Sequence, residues 1–144
     1  MSVVKPIKIL KRKFEKKNIN VINLIKNECE LESYENYIIQ VLMNLLNNAI
    51  DQFTENRNKQ NTITIDITKN ENNIVLCVAD NAGGIENINK DIIFDKYYTT
   101  KKETGGTGLG LFMSKMIIQK KLKGDLSVEN IDGGATFKIS IPKN

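Results

Sequence analysis

The strongest periodic pattern of the chain is Gln40-Val-Leu-Met-Asn-Leu-Leu-Asn-Asn-Ala-Ile-Asp-Gln-Phe53. At about 100° per residue, its apolar side chains fill one broad arc of a helical wheel. The opposite, narrow arc holds Asn44, Asn48, Asp51 and Gln52. Asn44 and Asn48 are one turn apart, so their amides lie on the same face. The pattern predicts a long amphipathic helix over about Tyr34–Glu55.

The polar arc of this helix contains an unusual residue type. Asparagine is a poor helix former, so Asn44, Asn47 and Asn48 in mid-helix need a reason. A neutral amide oxygen suits Mg²⁺, which keeps several waters and takes further ligands from phosphates. The alternative is a solvated polar face in an asparagine-rich protein. The helix alone does not decide between them.

Two strands are predicted after this helix. Residues Thr62–Thr68 alternate between apolar and polar with period two, as in a half-buried strand. Residues Ile74–Ala79 form a continuous apolar run, which indicates a central strand covered on both faces. The polar residues 70–73 between them form a predicted turn.

The remaining predicted strands and helices indicate the fold class. Four further strands are predicted, at Asn20–Ile25, Cys29–Ser33, Leu126–Asn130 and Ala135–Ile141, with the turn Asp132–Gly134 between the last two. Helices are predicted at about Leu109–Lys121 and, shorter, near Ile88–Phe94. Because strands and helices are segregated, we expect an α+β fold, a two-layer α/β sandwich with a mixed, mainly antiparallel sheet.

A carboxylate follows the apolar strand in Asp80-Asn-Ala-Gly-Gly-Ile85. A buried, ionised Asp80 costs several kcal/mol unless it is paired. An adenine amino group is one suitable partner, and Gly84 would let the ring approach the backbone closely. The alternative is an ordinary turn of the Asp-Asn-x-Gly kind.

A second glycine-rich segment, Gly105-Gly-Thr-Gly-Leu-Gly-Leu111, opens the later helix. Such glycines free backbone N–H groups to face an anion, and the helix dipole assists. The segment is neither a Walker loop nor a dinucleotide-binding fingerprint, because the residues that follow do not match.

An aromatic segment, Ile93-Phe-Asp-Lys-Tyr-Tyr-Thr-Thr-Lys101, lies between the two glycine segments. Phe94 can anchor a lid by burial, and Lys101 offers a cation to phosphate. The alternative is a loop fastened by aromatic residues, with exposed lysines.

Composition restricts the class of protein. With 144 residues, 40% hydrophobic and 26% charged, the chain suits one globular domain. It has no histidine, which removes the commonest general base and any histidine phosphoacceptor. Cys29 and Cys77 match no metal-ligand spacing, and two reduced thiols are preferred to a disulfide. No apolar run approaches the roughly 20 residues that cross a bilayer, and no secretory signal is visible.

Residues 1–17 are predicted to form a basic amphipathic helix ahead of a domain over residues 18–144. Seven of the thirteen residues in Lys5–Lys17 are Lys or Arg. The run is compatible with nucleic acid or anionic lipid, but a solvated helix face is the preferred interpretation. An apolar stripe lies within the segment at Val3, Ile7, Leu10 and Phe14. We expect this stripe to pack on the domain or a neighbouring helix, because so short a helix is marginal alone.

These signals occur in an order that resembles the N box, the two glycine boxes and the F box of sensor histidine kinases. The matching motifs are Asn44-Leu-Leu-Asn-Asn-Ala49, Asp80–Gly84, Ile93–Lys101 and Gly106-Thr-Gly-Leu-Gly-Leu111. The resemblance spans about Tyr34–Pro142. It implies the α/β-sandwich ATPase fold with an ATP lid, which these kinases share with gyrase, heat-shock chaperone and mismatch-repair ATPases.

The resemblance also implies roles for individual residues. Asn48 would ligate Mg²⁺, Asn44 would support the phosphates, and Lys101 would join them as a third catalytic residue. The implied nucleotide-binding residues are Asp80, Gly84, Ile85, Phe94, Thr100, Gly106, Thr107, Gly108, Leu109 and Gly110. Ala82 is a small departure, since the family often has glycine there.

The implied function is that of the ATP-binding catalytic domain of a two-component sensor histidine kinase. It would transfer the ATP γ-phosphoryl group to a histidine on a dimerisation domain absent from this chain. The implied partners are that phosphoacceptor domain and a response regulator, with no nucleic acid. The implied location is cytoplasmic, compatible with a membrane-anchored parent.

Two alternatives remain open. One is a serine kinase of the anti-sigma type, although such kinases usually lack the F-box segment. The other is a degenerate nucleotide-sensing docking domain. If the kinase interpretation holds, we expect the isolated chain to be monomeric and not to phosphorylate itself.

Overall fold

The asparagine-bearing pattern forms helix α3, Glu35–Gln52, in a computed structural model that describes residues 3–27, 29–53, 59–84, 92–95 and 109–143. The apolar arc is buried as predicted, through Ile38, Val41, Leu42, Leu45, Leu46, Ala49 and Ile50. These side chains belong to one core that includes the inner face of the sheet. Burial of this arc explains why the helix forms despite its asparagines.

The sheet has five strands in the order β1-β2-β3-β5-β4. Their bounds are Ile19–Asn23, Asn61–Lys69, Asn73–Asp80, Asp125–Ile131 and Gly134–Pro142 for β1 to β5. Only β1 and β2 pair in parallel, and the other three pairings are antiparallel. The predicted α+β sandwich with a mixed, mainly antiparallel sheet is therefore confirmed.

Strand β3 is central, as predicted, but it is covered on one face only. Ile74, Leu76 and Val78 are buried against the helices, whereas the alternate residues of the strand are partly exposed. The apolar run Ile74–Ala79 indicated two covered faces, and that prediction was wrong. The physical reason is that successive side chains of a strand point to opposite faces, and among the described residues only the face with Ile74, Leu76 and Val78 belongs to the core.

The predicted strand Cys29–Ser33 is also wrong, because residues Cys29–Tyr34 form a 3₁₀ helix. A 3₁₀ helix brings positions i and i+3 to one side. Here that pair is Leu31, which is fully buried, and Tyr34, which packs on the core. The segment leads directly into α3, and this packing outweighs the short alternating pattern.

The N-terminal segment forms two short helices, α1 (Val4–Ile9) and α2 (Lys11–Lys16), rather than one. The helix is interrupted at Leu10, where φ is −92° and ψ is 7°. Val3, Leu10 and Phe14 are buried in the core, so the predicted packing of the apolar stripe on the domain is confirmed. The division of the chain at residue 17 stays a prediction.

Helix α4, Gly110–Lys121, matches the second predicted helix and packs against α3 and β4. The predicted helix near Ile88–Phe94 falls largely outside the described residues, of which 92–95 form a turn. No helix in the described ranges is long and apolar enough to span a bilayer. The two helices α3 and α4 and the end of β3 together position the residues of the candidate site.

Candidate functional site

Asp80 is the last residue of β3, and only 8% of it is exposed. Its Oδ1 accepts hydrogen bonds from the backbone N–H groups of Ala82 at 3.0 Å and Ala135 at 3.3 Å. The carboxylate is thus oriented by its own loop and by β5. The sequence predicted a buried carboxylate that needs partners, but it did not identify Ala135. The departure at Ala82 leaves this geometry intact, because a backbone N–H makes the contact.

Two glycines allow the chain to close around Asp80. A Cβ on Gly134 would lie 1.6 Å from the Asp80 carbonyl oxygen, so only glycine fits there. Gly84 has φ +80°, and a Cβ on it would lie 2.8 Å from Oδ1 of Asn130. Gly84 was predicted from ligand approach, and the structure adds this second requirement. Gly134 was missed, because its need for glycine arises from strand pairing.

The loop that follows β3 is tied on both sides. The Asn81 side chain accepts from the Thr62 N–H at 2.9 Å and donates to the Gln60 carbonyl at 2.8 Å. The Gly83 N–H donates to the Gly133 carbonyl at 2.9 Å. These bonds connect the loop to β2 and to the β4–β5 turn. The end of β3 is therefore braced before any ligand binds.

Asn44 connects the two helices of the site. Its Nδ2 donates to Ser114 Oγ at 3.0 Å, and Ser114 is fully buried in α4. A Cβ on Gly110 would lie 3.9 Å from Asn44 Oδ1, so the first residue of α4 faces this amide. Asn44 and Gly110 therefore lie close together, and their shared role in binding phosphate stays a prediction. Ser114 was not predicted, because a lone serine in a helix carries no sequence signal.

The other asparagines of α3 have different surroundings. The Asn47 side chain accepts from Lys13 Nζ at 2.9 Å. Asn48 is half-buried, and within the described part of the chain no hydrogen bond to its amide is seen. It lies one turn beyond Asn44 on the same face. Among the described residues, therefore, no group forms a hydrogen bond with the Asn48 amide, which leaves it able to bind a ligand.

The start of α4 favours an anion. Leu109 is its N-cap residue and makes no side-chain capping bond, and its first turn contains no acidic residue. A helix N-terminus carries partial positive charge and N–H donors. The remaining predicted residues around it, Ile85, Thr100, Lys101, Gly106, Thr107 and Gly108, lie outside the described residues.

Phe94 is buried and packs edge to face on Phe137, with ring centroids 6.2 Å apart. Lys115 Nζ lies 4.6 Å from the centre of the Phe94 ring and 3.8 Å from Asp125 Oδ1. These contacts attach Phe94 to α4 and β5. The prediction that this aromatic residue anchors its segment by burial agrees with them, whereas its contact with nucleotide stays a prediction.

Known proteins resemble this chain over most of its length. Residues 33–144 match the model of the histidine kinase-, DNA gyrase B-, and HSP90-like ATPase family. The sensor protein EvgS of Escherichia coli is 38% identical over 106 residues, which is 72% of this chain and 9% of that protein. The sensor histidine kinase WalK of Bacillus subtilis is 28% identical over 151 residues, covering 99% of this chain and 24% of that protein.

The fold is similar to that of solved structures. The catalytic domain of histidine kinase ThkA has a TM-score of 0.79 and 28% identity, with 97% of this chain and 90% of that chain covered. ThkA in complex with the response regulator protein TrrA has a TM-score of 0.76 and 25% identity, with 99% and 39% covered.

These relatives also bear on the alternatives and on the extent of the chain. EvgS is a sensor protein, WalK is a sensor histidine kinase and ThkA is a histidine kinase, which gives no support to the serine-kinase or docking alternatives. The chain spans under a third of the curated relatives' length, at 9% and 24% of EvgS and WalK. By its family match and its fold, the chain belongs to the histidine kinase-, DNA gyrase B-, and HSP90-like ATPase family, as an ATP-binding catalytic domain of the histidine kinase type.

Proposed function

We propose that this domain transfers the γ-phosphoryl group of ATP to a histidine on a separate dimerisation domain. The observation that carries the proposal is the combination of two features. A buried, hydrogen-bonded carboxylate lies at the end of β3, and the asparagine side chains on one face of α3 lie beside the start of α4. The first suits a nucleobase and the second suits phosphates with their metal ion. Membership of an ATPase family supports ATP as the nucleotide.

At the base end, Asp80 would accept a hydrogen bond from the adenine amino group. The backbone donors of Ala82 and Ala135 already orient its carboxylate, so little rearrangement accompanies binding. Gly84, with its positive φ and no side chain, would lie beside the ring. Ile85 would follow it.

At the phosphate end, Asn44 and the start of α4 would hold the phosphates, with Leu109 and Gly110 supplying backbone N–H groups. Asn48 fits Mg²⁺, because its half-buried amide has no bond from the described residues and amide oxygen is a suitable hard ligand. When bound, the ion would neutralise phosphate charge. Lys101, Thr100, Gly106, Thr107 and Gly108 are proposed to complete this end.

The residues of this chain would act by positioning and by stabilising charge. The acceptor imidazole is itself the nucleophile, so the domain needs no strong base. The chain contains no histidine, so the acceptor must come from elsewhere. We propose the dimerisation domain of the parent kinase as that partner and a response regulator as the next acceptor, in the cytoplasm. ThkA was solved with the response regulator protein TrrA, which supports the second partner.

Calorimetric titration tests the nucleotide site. The wild type should bind ATP more tightly with Mg²⁺ than with EDTA. Asp80→Asn should lose about 100-fold in affinity under both conditions, because an unpaired polar group at a specific site costs that much. Asp132→Asn removes the same charge from an exposed turn and is the matched control. Unchanged binding by Asp80→Asn would contradict the proposed base contact.

Radiolabelled ATP tests the transfer. The chain alone should retain no label, whereas addition of the parent kinase's dimerisation domain should give an acid-labile phosphohistidine on that domain. Acid-stable label on a partner protein would instead favour the serine kinase. Tight ATP binding without any transfer would favour the docking domain.

A further inference from the structure

The N-terminal segment reaches the last turn of the helix that carries the asparagine face. Lys17 directly follows α2, and its Nζ donates to the Ile50 carbonyl at 2.9 Å and to the Phe53 carbonyl at 3.1 Å. The carbonyl of Lys17 itself accepts from Asn61 Nδ2 at 2.8 Å. One residue therefore joins α2, the C-terminus of α3 and the start of β2.

The C-terminus of α3 lacks a cation of its own. The last carbonyls of any helix have no intrahelical donor, and they carry partial negative charge. The last turn of α3 contains no basic residue and does contain Asp51. The chain leaves the helix at Phe53, which is extended with ψ 141°. The Ile50 carbonyl already accepts from the Phe53 N–H at 3.2 Å. The Lys17 ammonium adds a second donor to that carbonyl, a donor to the Phe53 carbonyl, and the positive charge that this end lacks.

The surroundings of Lys17 restrict its movement. Asn61, which holds its carbonyl, is only 5% exposed. Phe14, one turn earlier, is buried in the core. Lys13 provides a second connection to α3, through Asn47 Oδ1 at 2.9 Å. The contact is therefore part of a packed junction and differs from an exposed ion pair, which contributes little.

We propose that Lys17 is a positioning residue for the magnesium end of the site. Ile50, whose carbonyl it holds, lies two residues after Asn48 in the same turn. No described side chain holds the Asn48 amide, so the helix backbone sets its direction. A shift of the N-terminal segment would thus alter metal-dependent ATP affinity without contacting the nucleotide. The inference rests on the proposed role of Asn48.

The test uses Lys17→Met, which keeps the aliphatic stem and removes the ammonium. The ATP affinity of the full chain is measured with Mg²⁺ and with EDTA. We expect the gain in affinity on adding Mg²⁺ to fall about fivefold, the lower end of usual coupling between sites. The affinity in EDTA should change less than about twofold, because the base end lies on the sheet. Equal losses under both conditions would overturn the proposal.

Two matched variants accompany it. Lys16→Met removes the same charge from the exposed neighbouring residue, and it should leave both affinities unchanged. Lys17→Arg retains a cation and donors, and it should recover most of the magnesium-dependent gain. Failure of Lys17→Arg to recover any of it, or an equal loss in Lys16→Met, would count against a specific role for the Lys17 ammonium.

A double-mutant cycle separates positioning from general stabilisation. In an Asn48→Ala background, Lys17→Met should cause no further loss of the magnesium-dependent gain. Independent, additive losses would overturn the proposal and leave Lys17 as a helix cap.

Hydrogen exchange on the nucleotide-free chain tests the same contact directly. In Lys17→Met the amides of the last turn of α3 should exchange faster than in the wild type. Unchanged exchange would refute the proposal. If instead the wild type binds ATP equally with Mg²⁺ and EDTA, the proposed metal site fails, and with it the role of Lys17, whatever the exchange shows.

Discussion

The two ends of the proposed nucleotide site are built differently. The base end is made by strand pairing: Asp80 is held by backbone N–H groups, and Gly134 packs directly on its carbonyl. The phosphate end is made by helix packing: Asn44 meets Ser114 through side chains, and Asn48 is half-buried. Backbone ladders allow little adjustment, whereas packed helices shift more readily. We therefore expect the base end to be rigid and the phosphate end to be the adjustable one.

The largest effect should come from Gly134→Ala. The added Cβ would lie 1.6 Å from the Asp80 carbonyl oxygen, and Asp80 is itself fixed by its pairing with Ile63 of β2. The free energy of unfolding should fall by about 3 kcal/mol or more. Urea denaturation measures it. Gly133→Ala is the control: it has φ +78° but open space around it, so it should cost only about 1 kcal/mol. Equal losses would show that the base end is not tightly packed.

Asn48→Ala tests the phosphate end of the proposed site. ATP affinity with Mg²⁺ should fall about tenfold, because the ion would lose one protein ligand, with little change in EDTA. Gln52→Ala, on the same polar arc of α3 but exposed, should have no effect. Titration calorimetry decides the matter. A similar loss in EDTA would mean that Asn48 supports the nucleotide or the fold and not the metal ion.

Ser114→Ala should have a smaller effect, on stability. The substitution removes the acceptor of the Asn44 amide at a fully buried position, which costs about 1 kcal/mol. Thermal or urea unfolding measures the change, and Ser127→Ala on exposed β4 is the matched control. A neutral result would indicate that α3 and α4 are held by apolar packing alone.

The smallest effect concerns Cys77, a free thiol on the outer face of β3. Burial raises the pKa of this thiol above its ordinary value of 9.0, although Lys138 opposes the shift; Asp66 and Glu129 add to it. The pKa of the thiol is higher in the folded state than in the unfolded state. Folding is therefore more favourable when the thiol is protonated than when it is a thiolate. This contribution is complete below the unfolded pKa and is lost as pH rises through the folded pKa.

Alkylation rates measured against pH in a Cys29→Ser background check this. The inflection for the native chain should lie at a higher pH than the inflection for the chain unfolded in urea. Coincident inflections would contradict a raised pKa for the Cys77 thiol.

The sequence predicted elements best where a long pattern repeats. The bounds of α3, α4 and the β4–β5 hairpin follow from apolar periodicity and from the Asp-Gly-Gly turn. It failed for the short segment Cys29–Ser33, because five residues cannot distinguish a strand from a 3₁₀ helix. The prediction that both faces of β3 are covered was also wrong, since an apolar run does not reveal which faces other elements occupy.

By itself the sequence determined the long helix, the order of the motifs and the positions where glycine or asparagine is unusual. These are local properties, set by helical period and by allowed φ and ψ. Only the tertiary structure decided the partners: Ala135 for Asp80, 55 residues away, and Ser114 for Asn44, 70 residues away. It also decided that Lys17 caps α3, from 36 residues before Phe53. Such contacts depend on how strands and helices pack, which no local pattern in one chain encodes.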